Sequence, residues 1–164
     1  MRGIGGHTQP NGGRTNEWLT PPEWIHALGP FDLDPCAPIE CPWPTAARHY
    51  TMLDNGLMQP WEGFVWCNPP YGRSTAKWLQ RMADHGNGIA LTFARTETVM
   101  FFSYVWGRAH ALLFVEGRPH FHRWNGERAL ENSGGPVVLI AYGPEAALRL
   151  GGGRLRGAFV TVRR

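Results

Sequence analysis

Five short stretches of this chain are apolar at nearly every position: Gly63–Cys67, Gly88–Phe93, Ala111–Val115, Val137–Tyr142 and Ala158–Val162. A strand with one face in water alternates apolar and polar residues, so runs without alternation imply strands covered on both faces. Between them lie segments with helical spacing. Trp24, Ile25 and Leu28 recur on one such face, and Trp78, Leu79 and Met82 on another. Strands alternating with helices predict an α/β fold whose mostly parallel sheet carries helices on both faces.

The chain has 164 residues, enough for one domain that buries a core without disulfides. Residues 1–16 are rich in Gly, Asn and Thr and lack apolar periodicity, which predicts a disordered segment before a single domain over residues 17–164. No apolar run approaches the ~20 residues needed to cross a bilayer, and the first residues lack the apolar centre of a signal peptide. A soluble cytoplasmic protein is expected. Cys36, Cys41 and Cys67 are odd in number and form no CxxC pair, so neither a disulfide framework nor a metal site is expected.

Net charge is only +3, but five arginines and no acid lie in residues 149–164. Arg154 and Arg156 in that basic end suit phosphate, and they suit a solvated tail equally. Arg118, His120, His122 and Arg123 cluster beside Trp124 and the turn dipeptide Asn125-Gly126, again readable as nucleic-acid contact or as a solvated loop.

Thr20-Pro21-Pro22-Glu23 has the form of a capping box that opens a helix over about residues 21–28. Phe31-Asp32-Leu33-Asp34 then reads as a short strand ended by Pro35. Carboxylates at such a strand end can receive the ammonium and hydroxyl groups of a polar ligand, or can cap turns and pair with arginines. Residues 35–62 form a long connection punctuated by proline, a length that usually serves function. Asp54-Asn55-Gly56 marks a tight turn within it. Ser74 is expected to cap a helix over about 75–85 that stops at Gly86.

The most pointed chemistry is in Asn68-Pro69-Pro70-Tyr71, on the loop that leaves the Gly63–Cys67 strand. The Asn68 side-chain oxygen and the Pro69 carbonyl can each accept one N–H of an amine whose lone pair is delocalised. Two acceptors on one nitrogen favour pyramidal geometry and stabilise the charge that develops as a methyl group arrives. Pro69 restricts Asn68 to extended geometry, and both prolines fix φ, so the acceptors stand ready before substrate binds. Tyr71 offers a flat face for a planar base. A carboxylate would accept in the same geometry, so Asn68→Asp is expected to remain active. The same four residues also make a rigid turn, and alone they do not separate the two readings.

With these residues in hand, the chain resembles the phage-type DNA adenine-N6 methyltransferases, over about Trp18 to Tyr142. The resemblance rests on Trp18-Leu19-Thr20-Pro21, Phe31-Asp32-Leu33-Asp34-Pro35-Cys36-Ala37, Asp54-Asn55-Gly56-Leu57, Trp61, Trp66-Cys67-Asn68-Pro69-Pro70-Tyr71, Arg95-Thr96-Glu97 and Gly117-Arg118-Pro119-His120-Phe121. Their combination in this order weighs against the turn-only reading.

What the resemblance implies is a Rossmann-like methyltransferase fold ending in an antiparallel hairpin, which Val137–Tyr142 and Ala158–Val162 could supply. It implies S-adenosylmethionine as cofactor, with Thr20, Pro21, Asp32, Asp34, Pro35 and Asp54 as candidate contacts and Asp34 meeting the methionine ammonium. Asn68, Pro69, Pro70 and Tyr71 would hold the target adenine of DNA. Arg95, Arg118, His120, Arg154 and Arg156 are the candidate DNA contacts. A glycine-rich GxGxxG loop is missing after Asp34, and there is little room for a separate target-recognition domain. Base selection would then fall to loops 35–62 and 117–134 or to a second subunit, and a dimer is compatible with this. The same loop chemistry also serves RNA adenine, cytosine amino groups and glutamine side chains, and a non-catalytic nucleic-acid-binding module of this fold is the alternative of another class.

Overall fold

A computed structural model of the protein describes residues 18–162, so the expected disordered segment 1–16 lies outside the described residues. The strands are β1 (Leu33–Asp34), β2 (Arg48–His49), β3 (Val65–Cys67), β4 (Gly88–Phe93), β5 (Ala111–Val115), β6 (Val137–Tyr142) and β7 (Gly157–Thr161). They form one sheet in the order β2-β1-β3-β4-β6-β5-β7.

Helices cover both faces, as the apolar strands require. On one face, Trp24, Ile25 and Leu28 of α1 (Pro22–Leu28) meet Trp66, Ile89, Leu91 and Leu139. On the other, Trp78, Leu79 and Met82 of α2 (Thr75–His85) meet Val65, Cys67, Ala90 and Ile140. Successive strand residues thus feed opposite cores. Phe101 of α3 (Val99–Phe101) and Val105 of the π-helical turn that continues it join the second core, while Ala146 and Leu150 of α4 (Pro144–Gly151) join the first.

The sheet is parallel only in its first half. β2, β1, β3 and β4 run parallel, whereas β6 is antiparallel to β4 and to β5, and β5 is antiparallel to β7. The chain returns from β5 to β6 at the same edge of the sheet, which needs no crossover helix and inverts the strand. The expected hairpin between residues 137–142 and 158–162 does not form. Helix α4 carries the chain back across the sheet after β6, so β7 runs in the direction of β6 and pairs with β5 instead.

Local signals also need correction at two helix starts. Pro21, not Thr20, occupies the N-cap of α1, and no side chain caps it. Ser74 stands at the N-cap of α2 without a side-chain bond; Thr75 accepts from Gly72 N at 2.9 Å and donates to the Pro70 carbonyl at 2.9 Å. The helix ends as expected at Gly86, with φ 72°.

Candidate active site

The carboxyl ends of β1 and β3 open into a cavity of about 610 Å³, within the range that holds a cofactor-sized ligand. Trp18, Leu19 and Thr20 form one wall; Asp34, Pro35 and Cys36 lie at the end of β1, and Asn68 to Tyr71 at the end of β3. The long 35–62 connection supplies the remainder, through Trp43, Thr45, Thr51, Met52 and Gly56 among others. It is not structureless: β2 and a short 3₁₀ turn over Gly56–Met58 lie within it.

Asp34 is 3% exposed, yet no cationic side chain meets it among the described residues. Its Oδ2 accepts from the Thr45 hydroxyl at 2.5 Å and its Oδ1 from Cys36 N at 3.1 Å. Burial outweighs these two bonds and pushes its pKa up to about 6. A carboxylate so placed faces the cavity with charge that a bound cation would balance.

Asn68 is held from three sides. Its Nδ2 donates to the Trp18 carbonyl at 3.0 Å and to Thr20 Oγ1 at 3.3 Å, while its Oδ1 accepts from the Tyr71 hydroxyl at 3.3 Å. A carbonyl can only accept, so the amide orientation follows from chemistry. Burial raises the Tyr71 pKa far above its ordinary value, which keeps the phenol protonated and donating.

Of the backbone carbonyls of Asn68, Pro69 and Pro70, that of Asn68 accepts from the Cys36 thiol at 3.3 Å and that of Pro70 accepts from Thr75. Burial and the adjacent Cys67 keep the Cys36 thiol protonated. The Pro69 carbonyl takes no hydrogen bond from the described residues. Tyr71 packs on Phe93 with ring centroids 4.6 Å apart, and the Arg95 guanidinium lies 5.7 Å from the Phe93 ring. The tetrapeptide is thus flanked by a tyrosine, a phenylalanine and an exposed arginine in series.

Three of the candidate donor contacts fall outside this cavity. Asp32 accepts from Phe64 N at 2.6 Å, and a Cβ at Gly63, where φ is 78°, would collide with its carboxylate. Asp54 accepts from Thr51 N at 2.7 Å and Thr51 Oγ1 at 2.9 Å; these bonds lower its pKa and make it a turn former. Pro21 faces a second cavity instead. The Asp54-Asn55-Gly56 motif serves packing: Asn55 is left-handed at φ 52°, a Cβ at Gly56 would collide with the Pro35 carbonyl, and Trp61 Nε1 donates to the Gly56 carbonyl at 2.8 Å.

The second cavity, of about 330 Å³, brings together Arg118, His120 and Arg156 with Arg128, which sequence reasoning had passed over. Glu23 and Glu116 also line it, but the ion pairs among the described residues are Arg48–Glu62, Arg108–Asp84 and Arg149–Glu145. The three cavity arginines therefore have no carboxylate partner there. Arg154 is turned elsewhere, donating to the Ala27 carbonyl at 3.3 Å. Sequence alone does not reveal Thr45 or the Trp18 carbonyl, because each acts on a residue that only folding brings near; Thr75 acts on Gly72 and Pro70, close in sequence, where the neighbouring Ser74 carries the capping signal. Among the described residues no three His, Cys, Asp or Glu side chains gather to hold a metal, and no helix is long and apolar enough to cross a membrane.

An α/β sheet with a polar Asn-Pro-Pro-Tyr loop at a strand end, beside a large cavity with a buried carboxylate, has the build of a methyltransferase. Residues 8–145 match the DNA N-6-adenine-methyltransferase (Dam) family. The chain belongs to that family. Comparisons with curated proteins and with solved structures give no match.

Proposed function

We propose that the protein transfers the methyl group of S-adenosylmethionine to the exocyclic amino group of adenine in DNA, on a Rossmann-like sheet. The observation that carries this is the pair of acceptors at the cavity: Asn68 Oδ1, oriented by Trp18 and Thr20, and the Pro69 carbonyl, which has no partner among the described residues. The buried Asp34 carboxylate fits the donor's ammonium, and the neighbouring wall formed by Pro35 and Cys36 fits the rest of its amino-acid end, while Thr20 turns its hydroxyl to Asn68. Bound there, the donor supplies an electrophilic methyl group on a sulfonium.

The chain's own residues do the remainder. Asn68 and Pro69 accept the two N–H groups of the target amine and stabilise the positive charge that forms on nitrogen as the carbon–nitrogen bond is made and the donor's carbon–sulfur bond breaks, its electron pair staying on the sulfur of a neutral thioether. The surplus proton leaves afterwards to water, since a neutral amide is no general base. Tyr71, backed by Phe93, stacks on the base, which has been flipped out of the duplex at a cost of a few kcal/mol. Arg95 and the Arg118, His120 and Arg156 cluster take phosphates.

Incubation with labelled donor and unmethylated DNA, followed by nucleoside analysis, tests this. Label in N6-methyladenine is the expected result. Label in cytosine, in RNA or in protein glutamine replaces the acceptor; donor binding with no transfer to any of them reduces the chain to a binding module.

A further inference from the structure

The catalytic loop is oriented by a segment 48 to 50 residues away. In a trans peptide the carbonyl and the following N–H point in opposite directions. Leu19 N donates to the His122 carbonyl at 2.8 Å and His122 N donates to the Leu19 carbonyl at 2.9 Å, so one edge of residues 18–20 is pinned to the 117–134 loop. The other edge is left for Asn68. There the Trp18 carbonyl and the hydroxyl of Thr20, a residue only 3% exposed, accept from Asn68 Nδ2.

An asparagine amide can rotate by 180° about its terminal bond, exchanging its oxygen and nitrogen. Only one of these states presents an acceptor to the substrate amine. The other would aim N–H at N–H. The Trp18 carbonyl makes the second state costly, since it would set the amide oxygen against a carbonyl oxygen; the Thr20 hydroxyl, able to accept or donate, holds the amide plane in place. Thr20 is released for this task because it does not cap α1, despite standing where a capping residue is expected.

We propose that Thr20 is a positioning residue, whose hydroxyl holds the Asn68 side chain in the place where the Trp18 carbonyl selects the amide state with Oδ1 facing the target amine. This rests on the methyl-transfer reading above. Thr20 acts through Asn68 and before chemistry, so its hydroxyl should matter to the rate of transfer and little to the binding of donor or DNA.

The test measures single-turnover transfer from S-adenosylmethionine to DNA, both saturating, together with the affinity for each. Thr20→Val removes the hydroxyl at nearly constant shape and should slow transfer about tenfold, the factor that one neutral hydrogen bond typically carries. Affinities should change by less than about twofold, because the Thr20 hydroxyl is engaged with Asn68 and not with donor or DNA. Thr20→Ser, which restores the hydroxyl, should recover most of the rate. In an Asn68→Ala background Thr20→Val should cost nothing further, because the group it positions is gone.

A parental rate in Thr20→Val overturns the proposal. So does a loss of donor affinity equal to the loss of rate, or an equal loss in the Asn68→Ala background. Should Thr20→Val fail to fold, Thr20→Cys, of similar size and with a much weaker acceptor, is read in the same way. Failure of the underlying reading shows separately, as an Asn68→Ala variant that transfers methyl at the parental rate.

Discussion

Replacing Asp34 by asparagine should stabilise the protein while disabling its donor site. In the folded chain the carboxyl pKa is raised from 3.8 to about 6, chiefly by burial. The native state therefore binds this proton more tightly than the unfolded state does. Stability consequently falls as pH rises between about 4 and 6, and the full cost is present above that window. A shift of roughly two units corresponds to about 3 kcal/mol at neutral pH. Asparagine keeps the shape: its oxygen can still accept from Cys36 N, and its amide can donate to the Thr45 hydroxyl. At pH 8 the variant should gain up to about 3 kcal/mol, or roughly 6 to 12 °C in melting temperature for a chain of this size. The gain should vanish near pH 4. Calorimetry should show the opposite for function, with S-adenosylmethionine binding about 10-fold to 150-fold more weakly for want of a charge-assisted bond. Below pH 6 the parent's affinity should fall about tenfold per unit, and the variant's should not. Equal stability at pH 8, or undiminished donor binding, would refute the assignment of a buried, unpaired carboxylate to the donor site.

Asn68→Ala should lower the single-turnover rate about 10²-fold to 10³-fold, with donor and DNA affinities nearly unchanged, as measured by rapid quench and by titration. Asn68→Asp, tolerable on the sequence reading, should also be impaired, since an oxygen would replace Nδ2 3.0 Å from the Trp18 carbonyl; a parental rate in this variant would show that the contact is dispensable. Tyr71→Ala should weaken binding of DNA with a flipped or mismatched target adenine by about 1 to 3 kcal/mol, while Tyr71→Phe keeps the stack. Replacing Arg118 and Arg156 together should flatten the dependence of log affinity on log salt by about 1.8, at about 0.9 per phosphate contact, and an unchanged slope would make that cavity a solvated surface.

Much of the fold is legible in the sequence. Runs apolar at every position specify strands covered on both faces, and helical spacing specifies which helix faces cover them. The tetrapeptide at the end of β3 is legible too, because its chemistry lies in consecutive residues whose backbone proline constrains. Strand direction is not local. It depends on which edge of the sheet the chain leaves and on whether a helix carries it back, so the antiparallel insertion of β6 and the pairing of β7 with β5 were decided by packing. The same holds for polar side chains with two possible partners. Thr20 reads as a cap, Asp32 as a ligand or a turn cap, and Asp54 as a turn former that the resemblance offers as a ligand; Thr20 turns to Asn68, Asp32 to Phe64 N and Asp54 to Thr51. A hydroxyl or carboxylate takes whatever donor or acceptor folding brings within about 3 Å. Residue type determined what each could bond, and only the tertiary structure decided which bond it made.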